Sequence, residues 1–202
     1  MTAIRPWRYL SCLFLSLLLA LPALAQNDFQ DEPVFTDMKE AMKTPLAVKR
    51  LDLSKQKLSK VPADVFLLKN LYELVLSKNK LTRIPDEISQ LKKLRILRVD
   101  RNKIESLPES IGSLQYLEIL DINRSDMFYL PESLGNCSSL ERIIAWDTNL
   151  STLPASLKKC TQLMYIDLRN IMFSKAQQEE LEKMLPGTKI DFTIDCNCGP
   201  NP

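Results

Sequence analysis

Residues 71–93 read LYELVLSKNKLTRIPDEISQLKK, and residues 94–116 read LRILRVDRNKIESLPESIGSLQY. Laid over one another without a gap, they match Leu71 with Leu94, Leu74 with Leu97, Asn79 with Asn102, Pro85 with Pro108 and Ile88 with Ile111. The same 23-residue period extends outward from there to cover Val48 to Leu163. An apolar residue followed by proline marks five copies, at Val61-Pro62, Ile84-Pro85, Leu107-Pro108, Leu130-Pro131 and Leu153-Pro154. One such unit cannot bury its own apolar face, so a fixed period of this length means a stack of like units, a solenoid.

The order of elements within a unit follows from spacing. Leu74-Val75-Leu76 and Leu120-Asp121-Ile122 alternate with the period of a short strand that has one face buried. Beyond the strand the apolar interval widens, as in Ile84, Ile88, Leu91 and Leu94, so the chain returns through a loose helical or extended arm on the convex side. Proline opens that arm because the first position needs no N–H donor. Stacked in phase, the strands form one parallel, curved sheet.

The pattern Leu-x-x-Leu-x-Leu-x-x-Asn-x-Leu-x-x-Leu-Pro-x-x-Ile-x-x-Leu resembles the leucine-rich repeat family, in particular its 23-residue class, which includes the Ras-suppressor and scribble-type proteins and short exported bacterial proteins. The resemblance implies an α/β repeat solenoid, a horseshoe with a parallel concave sheet. It divides the chain into six repeats over 48–173, an N-terminal lead-in and capping helix over 26–47, and a C-terminal cap over 174–202. In the family an Asn after the strand satisfies backbone groups of the turn. Here Asn79 and Asn102 keep it, whereas Gln56, Ser125, Thr148 and Ile171 stand at the equivalent places, so the later copies are expected to be less regular there.

At the N-terminus, Arg5 and Arg8 precede the apolar run Leu13 to Leu21, and Ala23-Leu24-Ala25 supplies small residues before Gln26. This is the pattern of a secretory signal peptide over 1–25, cleaved after Ala25, and it predicts a secreted or periplasmic protein. Two of the 27 Lys+Arg and none of the 25 Asp+Glu lie in that leader, so the remainder balances at 25 against 25. A nucleic-acid or anionic-membrane binder would ordinarily show a basic excess.

The ends of the stack need covers. Thr36 is expected to cap a short helix from Asp37 to Lys43, stopped by Pro45, and Gln26 to Val34 reads as a flexible lead-in. Ser174 and Gln177 have capping-box spacing ahead of a helix from Lys175 to Leu185, and Lys189 to Ile194 alternates like a closing strand. Cys137 and Cys160 share one core-facing register, open either to a bridge between adjacent turns or to two buried thiols. Cys196 and Cys198 follow the last strand, where a local or cap-stapling disulfide competes with free thiols.

Catalytic chemistry finds little to use. With no histidine there is no nucleophilic triad, and four glycines form no phosphate-cradling loop. Ser54-Lys55-Gln56-Lys57 and Ser77-Lys78-Asn79-Lys80 recur because the template recurs. Neither an enzyme activity, a cofactor nor a metal is expected. The resemblance instead implies that the concave sheet binds a partner, through the third, fifth and seventh residues of each copy. In those columns Val75, Ile96, Ile119, Ile144, Trp146 and Tyr165 form an apolar band, flanked by Arg98, Asp121, Arg142 and Arg169. This composition suits a protein or peptide. A glycan or cell-wall polymer is the alternative, held through the basic column Lys55, Lys78, Arg101 and Arg124 and by Tyr165 and Trp146.

Overall fold

Six strands of three residues recur at the repeat interval: β2 (Arg50–Asp52), β3 (Glu73–Val75), β4 (Ile96–Arg98), β5 (Ile119–Asp121), β6 (Arg142–Ile144) and β7 (Tyr165–Asp167). The computed structural model describes residues 31–193, and from Glu32 onward these form one unit. The leader, its cleavage point, Cys196 and Cys198 lie outside the described residues. Each strand pairs in parallel with the next at an offset of one repeat, as in Leu74↔Leu97 and Leu97↔Leu120. The central residue of every strand, from Leu51 to Ile166, is fully buried. Its two neighbours point the other way, as strand pleating requires.

Among the described residues the sheet has eight strands, two more than the repeats supply. β1 (Val34–Phe35) pairs with β2 through Val34↔Arg50, and Glu32 pairs with Lys49. The lead-in expectation is therefore corrected at its end: Val34 is strand. Two polar residues and a proline before it hide a two-residue element held by the open edge of β2, the Glu32–Lys49 ion pair and the packing of Phe35 on the core. The first helix, α1 (Met38–Ala41), is capped by Asp37 rather than Thr36, with the Asp37 carboxylate accepting from Lys39 N at 2.7 Å and Glu40 N at 3.0 Å. A carboxylate accepts more strongly than a hydroxyl and suits the positive helix end. At the other end α2 (Lys175–Met184) has the expected capping box of Ser174 and Gln177, and β8 (Lys189–Asp191) closes the sheet on β7.

After each strand the chain turns through a residue at positive φ: Lys55, Lys78, Arg101, Arg124, Asp147 and Asn170, all between 50° and 60°. A side chain there costs about 1 kcal/mol or more. The ladder holds it in place, since Lys55 N donates to Ser77 O at 3.0 Å and Lys78 N to Asp100 O at 2.9 Å. Asn79 and Asn102 complete the turn. Asn102 Nδ2 donates to Leu76 O at 3.0 Å and Val99 O at 2.8 Å, while its Oδ1 accepts from Leu81 N at 3.0 Å. Ser125 and Thr148 keep only the local bond, to Ile122 O at 2.6 Å and Ala145 O at 2.8 Å. The later copies thus lose the side-chain bridge between repeats but not their register, which the buried Leu and Ile columns set.

The return arms are 3-10 segments: Ala63–Leu67, Asp86–Gln90, Glu109–Ser113, Glu132–Asn136 and Ala155–Lys159. Proline precedes each one in extended conformation. One position of the arm holds Phe66, then Ser89, Gly112 and Gly135 in successive copies. A Cβ on Gly135 would sit 2.4 Å from Ser156 O, and one on Gly112 would sit 2.4 Å from Ser133 O. Glycine is what lets the later arms close up. Between the first two arms, where Phe66 occupies that place, a groove of about 370 Å³ remains.

Cys137 and Cys160 are free thiols in the core, so of the two readings the buried-thiol one holds. Burial, with a smaller contribution from Cys160, pushes the Cys137 thiol up to about 12.

Candidate binding face

The face of the sheet away from the core presents the side chains flanking each buried strand centre. Ile96 and Ile119 are direct neighbours in register, and Ile119 pairs with Arg142, which pairs with Tyr165. Val75 lies diagonal to Ile96, and Ile144 is diagonal to both Ile119 and Tyr165. Val75, Ile96, Ile119, Ile144, Trp146 and Tyr165 are all half-exposed. The apolar band read from the columns is thus continuous and reachable, from the third strand to the seventh.

Its charged flank is more internally engaged than the columns suggest. Arg98 stands beside Asp121 in register, yet its guanidinium ion pair is with Glu73 at 3.4 Å. Glu73 also receives Arg50 at 2.6 Å and is itself buried, a two-cation clamp on one carboxylate. Arg169 lies against Asp167, with Nε and NH2 donating at 2.9 Å and 2.8 Å, and this pairing raises the guanidinium pKa further. Trp146 has Arg124 over its ring at 4.3 Å, and Arg124 also meets Asp147 at 3.4 Å. The indole therefore has an internal partner, which its column position alone did not reveal. Lys189 of β8 lies 5.9 Å from the Tyr165 ring, a contact invisible before the cap was placed.

Of the four flanking charges Arg98, Asp121, Arg142 and Arg169, two remain available among the described residues. Arg142 is exposed and makes no ion pair among the described residues. Asp121 accepts from Asn123 Nδ2 at 2.5 Å and Asn123 N at 3.2 Å, but has no cation within ion-pair range among the described residues. Burial raises its pKa above the ordinary 3.8, only partly offset by the Asn123 backbone bond, with nearby Asp100 adding to the rise. The sign follows directly. An acid whose pKa is raised by folding weakens the fold once ionised, so that penalty appears as pH rises through the folded-state value. We expect Asp121→Asn, which keeps an acceptor for Asn123, to raise the melting temperature at pH 7. The advantage should fade as pH falls through 3.8, since well below that value the parent side chain is neutral in both states. A melting series from pH 3 to pH 8 checks this, and a constant difference across the series would contradict it.

No group of three or more metal-ligating side chains gathers among the described residues. No helix among them is long and apolar enough to cross a membrane.

The family described as leucine-rich repeat region matches residues 86–186, and that described as leucine rich repeat matches residues 47–104. The chain belongs to the leucine-rich repeat family. A leucine-rich repeat protein of Leptospira interrogans has a similar structure, with 25% identity and a TM-score of 0.68 over 80% of this chain and 47% of that one. The plant peptide hormone receptor RGFR1 in complex with RGF2 is also similar, with 32% identity and a TM-score of 0.59 over 70% of this chain and 23% of that one. This leucine-rich repeat chain thus spans under half the length of the first and under a quarter of the second. No curated protein sequence matches it. The leucine-rich repeat fold is commonly used for protein binding.

Proposed function

We propose that this is an exported, non-enzymatic binding protein that takes up a protein or peptide on its concave sheet. The observation that carries the reading is the half-exposed band Val75, Ile96, Ile119, Ile144 and Tyr165, with Arg142 free beside Tyr165 and the desolvated Asp121 beside Ile144. Apolar contacts supply affinity, while an unpaired cation and an unpaired carboxylate two residues apart in the sheet columns suit a chain that carries both charges. A peptide does so. Burying a charge at a cost in the free protein makes sense where a ligand cation relieves it. The similar plant receptor, solved with a peptide hormone, supports the same choice. The leader pattern at Arg5 to Ala25 supports a secreted or periplasmic setting.

The test is a crosslinked pull-down from native envelope and culture fractions with residues 26–202, beside the Trp146→Ala, Tyr165→Ala double variant. A protein or peptide retained by the parent should be retained at least about tenfold less by the variant, since aromatic anchors at interfaces each contribute on the order of 1 kcal/mol or more. Equal retention by both would remove the concave face from the interface. Binding through this face should also be only weakly salt-dependent, because most of its area is apolar.

A further inference from the structure

The edge of the sheet where the strands end is chemically unlike the concave face. In the first two repeats it carries Lys55, Lys57 and Lys60, then Lys78, Lys80 and Arg83, at matching positions and with no Asp or Glu between 54 and 85 in these two loops, 54–62 and 77–85. All six are exposed, and none makes an ion pair among the described residues. The third repeat extends the rows with Arg101 and Lys103. Its Asp100 bonds to Ser77 and stands only 4.0 Å from Arg101. The row ends at Arg124, whose charge is taken up by Trp146 and Asp147.

The rows are regular because the backbone makes them so. Lys55, Lys78 and Arg101 each donate their N–H to the following repeat, to Ser77, Asp100 and Asn123. Lys80 and Lys103 donate back to Leu58 O and Leu81 O, both at 2.8 Å. Both rows therefore keep the strand spacing of about 4.8 Å. Rungs that close lie within one Debye length of about 8 Å at physiological salt, so their potentials add.

The fold does not require these cations. Lys55, Lys78 and Arg101 occupy left-handed positions that favour glycine or asparagine, and like charges stacked in register repel. Asn170 fills the same turn later in the same chain, showing what the backbone would accept. The chain bears both penalties over three consecutive copies, on an edge that stays open.

We propose that this edge binds a linear acidic polysaccharide, one sugar carboxylate to each rung of cations. A sugar ring is about as long as the gap between neighbouring strands, so a polymer with one charge per ring keeps step with the repeats. Duplex nucleic acid places one charge every ~1.7 Å of its axis and does not. The site is separate from the concave face and does not depend on its partner.

The experiment titrates fluorescently labelled polygalacturonate with the full chain. Binding should weaken at least about tenfold between about 50 and about 200 mM salt, as counterion release requires for several simultaneous charge contacts. The Lys60→Glu, Lys80→Glu, Arg83→Glu variant should lose at least tenfold in affinity, while Lys158→Glu, Lys159→Glu on the fifth return arm should not. Ile119→Ala, Ile144→Ala on the concave band, away from Arg124, should bind the polymer like the parent, which separates this site from the concave one. Should the triple variant melt early, Lys60→Gln, Lys80→Gln, Arg83→Gln replaces it. Equal binding by parent and triple variant would overturn the proposal, as would equal binding of neutral dextran. Tighter binding of a single-stranded oligonucleotide or of phosphatidylglycerol vesicles, lost in the same variant, would overturn the polysaccharide assignment.

Discussion

Asn102→Ala lowers stability by about 3 kcal/mol, whereas Ser125→Ala, at the same place in the next repeat, lowers it by about 1 kcal/mol. The difference lies in what each side chain satisfies. Asn102 is buried, reaches back to Leu76 O in the previous repeat, and accepts from Leu81 N there. Truncation deprives the Leu81 N–H and the Val99 carbonyl of their Asn102 bond in a site closed to water, where each stranded group costs about 1–3 kcal/mol, while Leu76 O keeps the Asn79 amide at 2.8 Å. Ser125 makes one local bond, to Ile122 O at 2.6 Å. Denaturant titration of both variants measures the two losses, and equal losses would show that the inter-repeat bridge contributes nothing beyond the local turn. Because repeats contact only their neighbours, amide exchange in Asn102→Ala should quicken first around the second and third copies.

Gly135→Ala is expected to cost about 2 kcal/mol, and Gly187→Ala almost nothing. Neither glycine has a positive φ, so backbone strain is not the cause. A methyl at 135 meets Ser156 O at 2.4 Å, Ser156 Cβ at 2.5 Å and Ser156 C at 2.7 Å, mostly backbone that cannot rotate away. At Gly187 a methyl meets nothing within 4 Å. Relief requires the fourth and fifth return arms to separate, which opens a gap beside the buried Leu134 and Leu157. Thermal melting should place Gly135→Ala about 4–8 °C below the parent. A Gly135→Ala melting point equal to the parent's would mean that the arms are free to slide apart.

The repeat made most of this legible in advance. Strand positions, the buried columns, the proline-started arms and the helix-strand C-terminal cap were all written in the spacing of Leu, Ile and Pro, because burial periodicity is a local property of the chain. The concave band was legible for the same reason: residues flanking a buried strand centre must point away from the core. Less legible were short elements stabilised only by what they dock against. β1 contains two residues and owes its pairing to the open edge of β2, and the cap falls on Asp37, one residue past Thr36, because its carboxylate reaches Lys39 N and Glu40 N.

The amino-acid sequence alone determined the solenoid, its register and which side chains would share each face, since a 23-residue period with buried apolar positions admits one way of stacking. Only the tertiary structure decided which charges on those faces are free. Arg98 turns to Glu73, Arg169 to Asp167 and Arg124 to the Trp146 ring, while Arg142, Asp121 and the cations of the first two loops find no ion-pair partner among the described residues. Burial depends on the identity of one position and repeats with it. An ion pair depends on two side chains, within one copy or across two, on their lengths and on the neighbours competing for each, and no periodic pattern encodes that choice.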